Sequence, residues 1–144
     1  MTKTTPLTGT WALISWHNTH GDGHKTYPLG PDATGYISYS ADGFVFVHLM
    51  AANRTLYSVN DPFNGNAAED SAAIKSQITY AGPYDFHGDH VIHNVTQSSC
   101  PNWVGTQQHR MVRFEGDSLI LSAAGARFQG QDVTAQVHWK RASR

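Results

Sequence analysis

Hydrophobic and polar positions along this chain alternate in short runs separated by Gly, Asp and Pro, the period of strands rather than helices. The runs predict eight strands, at about residues 10–17, 35–40, 44–51, 77–86, 90–97, 106–114, 118–123 and 133–141. Asp42-Gly43, Gly88-Asp89 and Glu115-Gly116-Asp117 each lie between two such runs, where Asp-Gly-type dipeptides favour tight hairpins. Three successive hairpins favour up-and-down topology, and eight strands can close around a ligand-sized interior. The expected fold is therefore an all-β, eight-stranded antiparallel barrel occupying residues 1–144 as one domain.

One segment breaks this rhythm. Residues 52–76 are too long for a hairpin loop, and the Ala-rich stretch 67–75 favours a short helix between the third and fourth strands, capped by Asn64 or Asn66. A long connection carrying a helix at a barrel rim can act as a lid or a plug. The Gly-, His- and Pro-rich stretch 18–34 is expected at the rim as well.

Alternation also assigns faces, because successive side chains point to opposite sides of a strand. On the first strand Trp11, Leu13 and Ser15 share one face; if Trp11 closes the barrel floor that face is inward, leaving Ala12, Ile14 and Trp16 outside as an apolar stripe suited to a homodimer contact or to cover by a loop. The third strand is apolar on both faces. Phe46 and His48 are taken there as candidate pocket residues, although the period does not choose between them and Val45, Val47 and Leu49. Elsewhere the inward sets are Tyr80, Gly82 and Tyr84; Val91, His93 and Val95; and Gln108, Arg110, Val112 and Phe114.

Composition narrows the chemistry. Charged residues are 15% of the chain, hydrophobic ones 40%, and the formal net charge is −1 with neutral histidines. No basic excess is present to neutralise a phosphate backbone, so nucleic acid is not an expected partner. No run approaches the roughly 20 apolar residues of a membrane-spanning helix, and residues 1–7 do not read as a signal peptide. The single cysteine, Cys100, excludes an intrachain disulfide, which suits a reduced, cytoplasmic setting. His87, His90 and His93 recur every three residues, a spacing that suits neither one strand face nor a zinc site, so no metal is expected. No phosphate loop, dinucleotide fingerprint or nucleophile elbow is present, and no cofactor is expected.

The Gly9-Thr10-Trp11 start of the first strand resembles the Gly-x-Trp signature of the lipocalin (calycin) superfamily. That resemblance implies that Trp11 closes the barrel floor and that a basic residue near the last strand, Lys140 or Arg141, packs across it. The stretches LTGTW (7–11), YPLGPDATG (27–35), YAGPY (80–84) and PNWVGT (101–106) look like those of the short lipocalin-like domain proteins of bacteria and fungi. The family implies a barrel with an internal site and leaves the activity open.

A mainly apolar pocket with a few polar groups follows, lined by Tyr39, Phe46, His48, Tyr80 and Trp103 as substrate-binding candidates. His93 and Tyr84 are read as an acid–base pair, and Arg110 as a clamp for an acidic or enolisable group. This set suits a cofactor-independent isomerase, cyclase or dehydratase of secondary metabolism acting on an apolar small molecule. The alternative is a non-catalytic binder of an apolar metabolite, which needs the same pocket and no reactive pair.

Overall fold

The structure, a computed structural model, describes residues 4–144. Met1 to Lys3, the start of the segment read above as lacking a signal peptide, lie outside the described residues.

The strands are β1 (Gly9–Thr19), β2 (Lys25–Thr26), β3 (Thr34–Tyr39), β4 (Phe44–Met50), β5 (Gln77–Phe86), β6 (His90–Asn94), β7 (Gln97–Ser98), β8 (Gln107–Glu115), β9 (Ser118–Phe128) and β10 (Gln131–Arg141). Helix α1 (Ala67–Lys75) joins β4 to β5, and a 3-10 turn at Pro101–Trp103 leads towards β8. Eight of the strands follow one another antiparallel around a closed barrel, shut by pairing of β10 with β1. The short β2 and β7 only extend the edges of β1 and β5.

Strand lengths differ from expectation in two places. The predicted fifth strand stops at Asn94, and its tail re-forms as β7 against β5. The predicted seventh strand continues past Ala123 to Phe128, because Gln129 (φ 54°) and Gly130 (φ 77°) make a left-handed two-residue turn into β10. Among the described residues no helix is long and apolar enough to cross a membrane.

The two barrel ends differ. Leu7, Trp11, Tyr39, Val45, Leu119 and Trp139 are almost fully buried towards one end, which they close. Trp11 donates its indole N–H to the Leu7 carbonyl at 2.9 Å. The guanidinium of Arg141 lies 3.8 Å over the Trp11 ring and donates to the carbonyls of Thr8 (2.7 Å) and Pro6 (3.0 Å). Of the two basic residues offered for this role, Arg141 performs it. Gly9 is required beside it: its φ of +116° is left-handed, and a Cβ there would stand 2.8 Å from Arg141 Nη1. The Gly and the Trp of the motif thus serve one cation–π contact.

At the opposite end lie α1, the 3-10 turn and the β9–β10 hairpin. Asn66 caps α1 in a reciprocal capping box with Glu69, and the helix buries no residue. It therefore sits on the rim rather than plugging the barrel. Arg54 ties the preceding loop to the helix through Ser76 Oγ (2.8 Å) and the Ala73 carbonyl (2.9 Å).

The outward placement of Trp16 is corrected by the structure. β1 pairs Leu13 with Trp139 but Ser15 with His138, so Ile14 is an extra residue in the ladder. Such a bulge reverses the parity of everything after it. Trp16 turns inward, 5% exposed, while Ser15 joins the outer face. The outer stripe proposed for a homodimer loses its largest member.

Candidate functional site

The inward faces of β5 and β6 agree with simple alternation. Tyr80 and Tyr84 on β5 and Val91, His93 and Val95 around β6 are buried. His93 is withdrawn from solvent completely and is held between two phenols, with Nε2 2.7 Å from the Tyr39 hydroxyl and Nδ1 2.7 Å from the Tyr80 hydroxyl. A neutral imidazole has one donor and one acceptor nitrogen, so one tyrosine donates to the ring and the other accepts from it.

Burial, and secondarily the charge of Arg110, lower the His93 pKa to about 3. Burial likewise raises Tyr80, and raises Tyr39 well above the ordinary phenol range. The Tyr39–His93–Tyr80 chain therefore carries no charge at neutral pH.

Tyr84 does not join this chain. It faces His93 directly in the β5–β6 ladder, yet its hydroxyl reaches towards the Ser40 carbonyl (3.5 Å). Its ring stands edge-on to Tyr39 with centroids 4.8 Å apart. The partner expected of His93 is replaced by Tyr39 and Tyr80, whose hydroxyls reach its two ring nitrogens.

Above this chain lies an internal cavity walled by apolar side chains from around the barrel, among them Trp16, Leu49, Ile78, Leu121, Phe128 and Trp139. Tyr80, Trp103 and Arg110 are the other notable members of the wall. Empty space between the walls, mouth included, amounts to about 480 Å³, but a water-sized sphere can move its centre through only about 40 Å³ of it. Since a single water needs about 10–15 Å³ of such room, the cavity as it stands holds a few waters. A larger guest has to move rim side chains.

Trp103 forms one side of the mouth, its ring edge-on to Tyr80 with centroids 5.7 Å apart. Arg110 takes its expected inward place. It donates to the His109 carbonyl (3.0 Å) and to Gln108 Oε1 (3.0 Å), both neutral, and among the described residues no carboxylate pairs with it.

Phe46 and His48 are elsewhere. On β4 it is Val45, Val47 and Leu49 that point inward and are buried, while Phe46 (54% exposed) and His48 lie on the outer surface. Val47 sits opposite Tyr80 and Val45 opposite Gly82, so the compact branched residues meet the crowded interior and the bulky ones face out. Phe114 is also partly outside, 42% exposed, though its ring approaches Trp11 at 6.4 Å between centroids. Several cavity residues were not singled out by alternation, Val47 and Leu49 among them, because β4 is apolar on both faces. Trp16 was hidden by the bulge, and Phe128 lies beyond the predicted end of its strand. Among the described residues no group of three or more His, Cys, Asp or Glu is placed to hold a metal ion.

Comparison with known proteins follows this architecture. A 4'-hydroxy-3'-methoxypropiophenone carrier protein, ppsC, of Aspergillus oryzae is 36% identical over 67 residues, covering 41% of this chain and 60% of that protein. The chain thus matches less than two thirds of that relative's length. Two solved structures are similar at low identity. One is a lipoprotein, YedD, from Klebsiella pneumoniae (TM-score 0.44, 11% identity, 100% of this chain and 80% of that one). The other is an uncharacterized protein from Bacteroides eggerthii (TM-score 0.45, 13% identity, 93% and 98%). Residues 8–142 match the family described as the lipocalin-like domain. With that match spanning nearly the whole chain, and Arg141 packed on the tryptophan of the Gly-x-Trp turn, the protein belongs to the lipocalin-like domain family.

Proposed function

We propose that this protein binds a small, flat, mainly apolar molecule carrying oxygen acceptors, of the aryl-ketone kind, inside the barrel. The observation that carries this reading is Arg110, a guanidinium on an otherwise apolar cavity wall whose recorded partners are all neutral. A guanidinium that is partly withdrawn into an apolar wall and bonded only to neutral groups attracts an anionic or strongly accepting guest, and an acidic phenol or an enolate would supply one. The carrier from A. oryzae is named for a ligand of this chemistry, an aromatic ring bearing a phenol and a ketone.

His93 supports binding over catalysis. With a pKa near 3 and both nitrogens occupied, it is a weak base that a guest cannot reach directly. Its chain also ends at Tyr39, which is 1% exposed and so scarcely touches solvent. Binding is tested by titrating the protein with 4'-hydroxy-3'-methoxypropiophenone and following tryptophan fluorescence. Saturable binding is expected, weakened about ten-fold or more in Arg110→Met, the scale of a hydrogen bond to a charged group. Absence of saturable binding, or an affinity indifferent to Arg110→Met, overturns the reading.

One observation favours a second reading. The Tyr80 hydroxyl belongs to a cavity-wall residue and is backed by an imidazole, an arrangement able to lend a proton to a guest and take it back. A cofactor-independent isomerase, cyclase or dehydratase would use it, with Tyr80 in place of Tyr84 as the proton donor, His93 behind it and Arg110 as the clamp. Product formation from enolisable aryl ketones, abolished in His93→Gln while binding persists, would establish that reading, and its absence over a broad panel would remove it.

A further inference from the structure

Three tryptophans are nearly fully buried in this barrel, and their indole N–H groups are treated differently. Trp11 donates to the Leu7 carbonyl at 2.9 Å, and Trp16 donates to Asn18 Oδ1 at 3.1 Å. Trp139, 1% exposed, has its Nε1 buried with no acceptor among the described residues. Buried tryptophan N–H groups usually find a partner, so an unpaired one calls for an explanation. The other such nitrogen, His138 Nε2, sits on a half-exposed residue of the opposite face of β10 and does not border the cavity.

Trp139 does border it. The cavity wall includes Trp139 beside Val137 and Ala135 from the same strand, and Trp139 is the one nearest the closed end. It pairs with Leu119 and Leu13, and Leu119 in turn pairs with Phe114, whose ring approaches the floor residue Trp11. Arg110 lies four residues back along β8 from Phe114, towards the open end. Of the other polar groups on the wall, Trp103 has no recorded partner for its indole N–H, but that nitrogen is not among the buried ones, and the rest are paired. Tyr80 is bonded to His93, Trp16 to Asn18, and Arg110 to Gln108 and the His109 carbonyl.

We propose that Trp139 Nε1–H is the donor that recognises the ketone oxygen of the bound molecule. This assignment rests on the binding reading above and deepens it. The guest enters carbonyl end first, places that oxygen on Trp139 at the deep end, and leaves its phenolic end near Arg110 towards the mouth. A donor with no internal acceptor discriminates sharply, because a guest without the oxygen restores nothing, whereas a guest with it satisfies a group the fold leaves bare. Trp139 is thus a specificity-determining residue, selecting ketones over the corresponding alkyl arenes.

The test compares 4'-hydroxy-3'-methoxypropiophenone with 2-methoxy-4-propylphenol, which differs only in having a methylene where the ketone stands. Wild-type protein is expected to bind the ketone about ten-fold more tightly. Trp139→Phe, which removes the N–H and keeps an aromatic ring, should abolish that preference. Should the variant fold poorly, the wild-type chain provides an independent readout in the 15N-labelled indole spectrum. The Trp139 N–H resonance should move downfield with the ketone and not with the alkyl phenol. Equal affinities for the two compounds, or a resonance that responds alike to both, overturn the assignment of Trp139 and leave the binding reading standing. If neither compound binds the wild-type chain, both fall together.

Discussion

His93 Nε2 and the Tyr39 hydroxyl lie 2.7 Å apart in the barrel interior, and neither residue has meaningful contact with solvent. Burial lowers the His93 pKa to about 3 in the folded state, whereas an unfolded histidine titrates near about 6.5. Between those values the unfolded chain binds the extra proton. Stability is therefore complete above about pH 6.5 and declines on acidification, by about 1.4 kcal/mol per pH unit for this group. Urea unfolding at pH 7 and pH 5 should show a loss of the order of 2 kcal/mol from this source. His17 and His138, also lowered chiefly by burial, add a smaller loss of the same sign. His93→Gln isolates the main term, since its stability should vary distinctly less with pH. Identical slopes for the two proteins would refute the assignment.

The floor contact should be equally specific. Arg141 stacks on Trp11 and bonds two carbonyls at once, a geometry that suits a planar fork and not a point charge. Arg141→Lys is expected to lower stability by about 1–2 kcal/mol despite keeping the charge. The urea midpoint should fall with an unchanged m-value; a midpoint within error of wild type would show that charge alone suffices.

Gly82 offers a backbone test. A Cβ there would meet the Asn94 carbonyl oxygen at 1.8 Å, backbone against backbone, where β5 passes the end of β6. Gly82→Ala has to push those strands apart next to Tyr80 and Tyr84, and should cost about 3 kcal/mol or more. Thermal unfolding measures this directly, and a melting temperature close to wild type would mean that the strands yield easily.

Trp103 guards the mouth. Its ring is packed edge-on to Tyr80, and the space inside admits only a few waters until something at the rim moves. Trp103→Ala should speed ligand dissociation about three- to ten-fold, the scale of one aromatic pair, with less change in association. Stopped-flow displacement of a bound aryl ketone reads both rates. Unchanged dissociation would place the gate elsewhere, Phe128 being the next residue to examine.

How far the site was legible depends on the strand. β5 and β6 alternate cleanly, so the inward positions of Tyr80, Tyr84 and His93 followed from period two alone. β4 is apolar on both faces, and the pattern held no information with which to reject Phe46 and His48. β1 misled for a different reason. Its bulge at Ile14 arises from how β10 pairs with it, a long-range property that local alternation does not encode. Ladder pairing was also a poor guide to His93, since its facing neighbour Tyr84 turns to Ser40 while Tyr80 and Tyr39 reach its ring nitrogens.

By itself, then, the order of residues determined the barrel, its up-and-down path and an inward Arg110, while the Gly9-x-Trp11 floor was implied by the family resemblance. The first three rest on local rules: side-chain alternation, Asp-Gly turns and the left-handed backbone that only glycine adopts readily. Tertiary structure alone decided which phenols hold His93, that Trp16 faces in, and that the indole N–H of Trp139 is left without an acceptor. Those outcomes depend on strands far apart in the chain meeting at one level of the barrel, where a single residue of register sends a side chain to the opposite face.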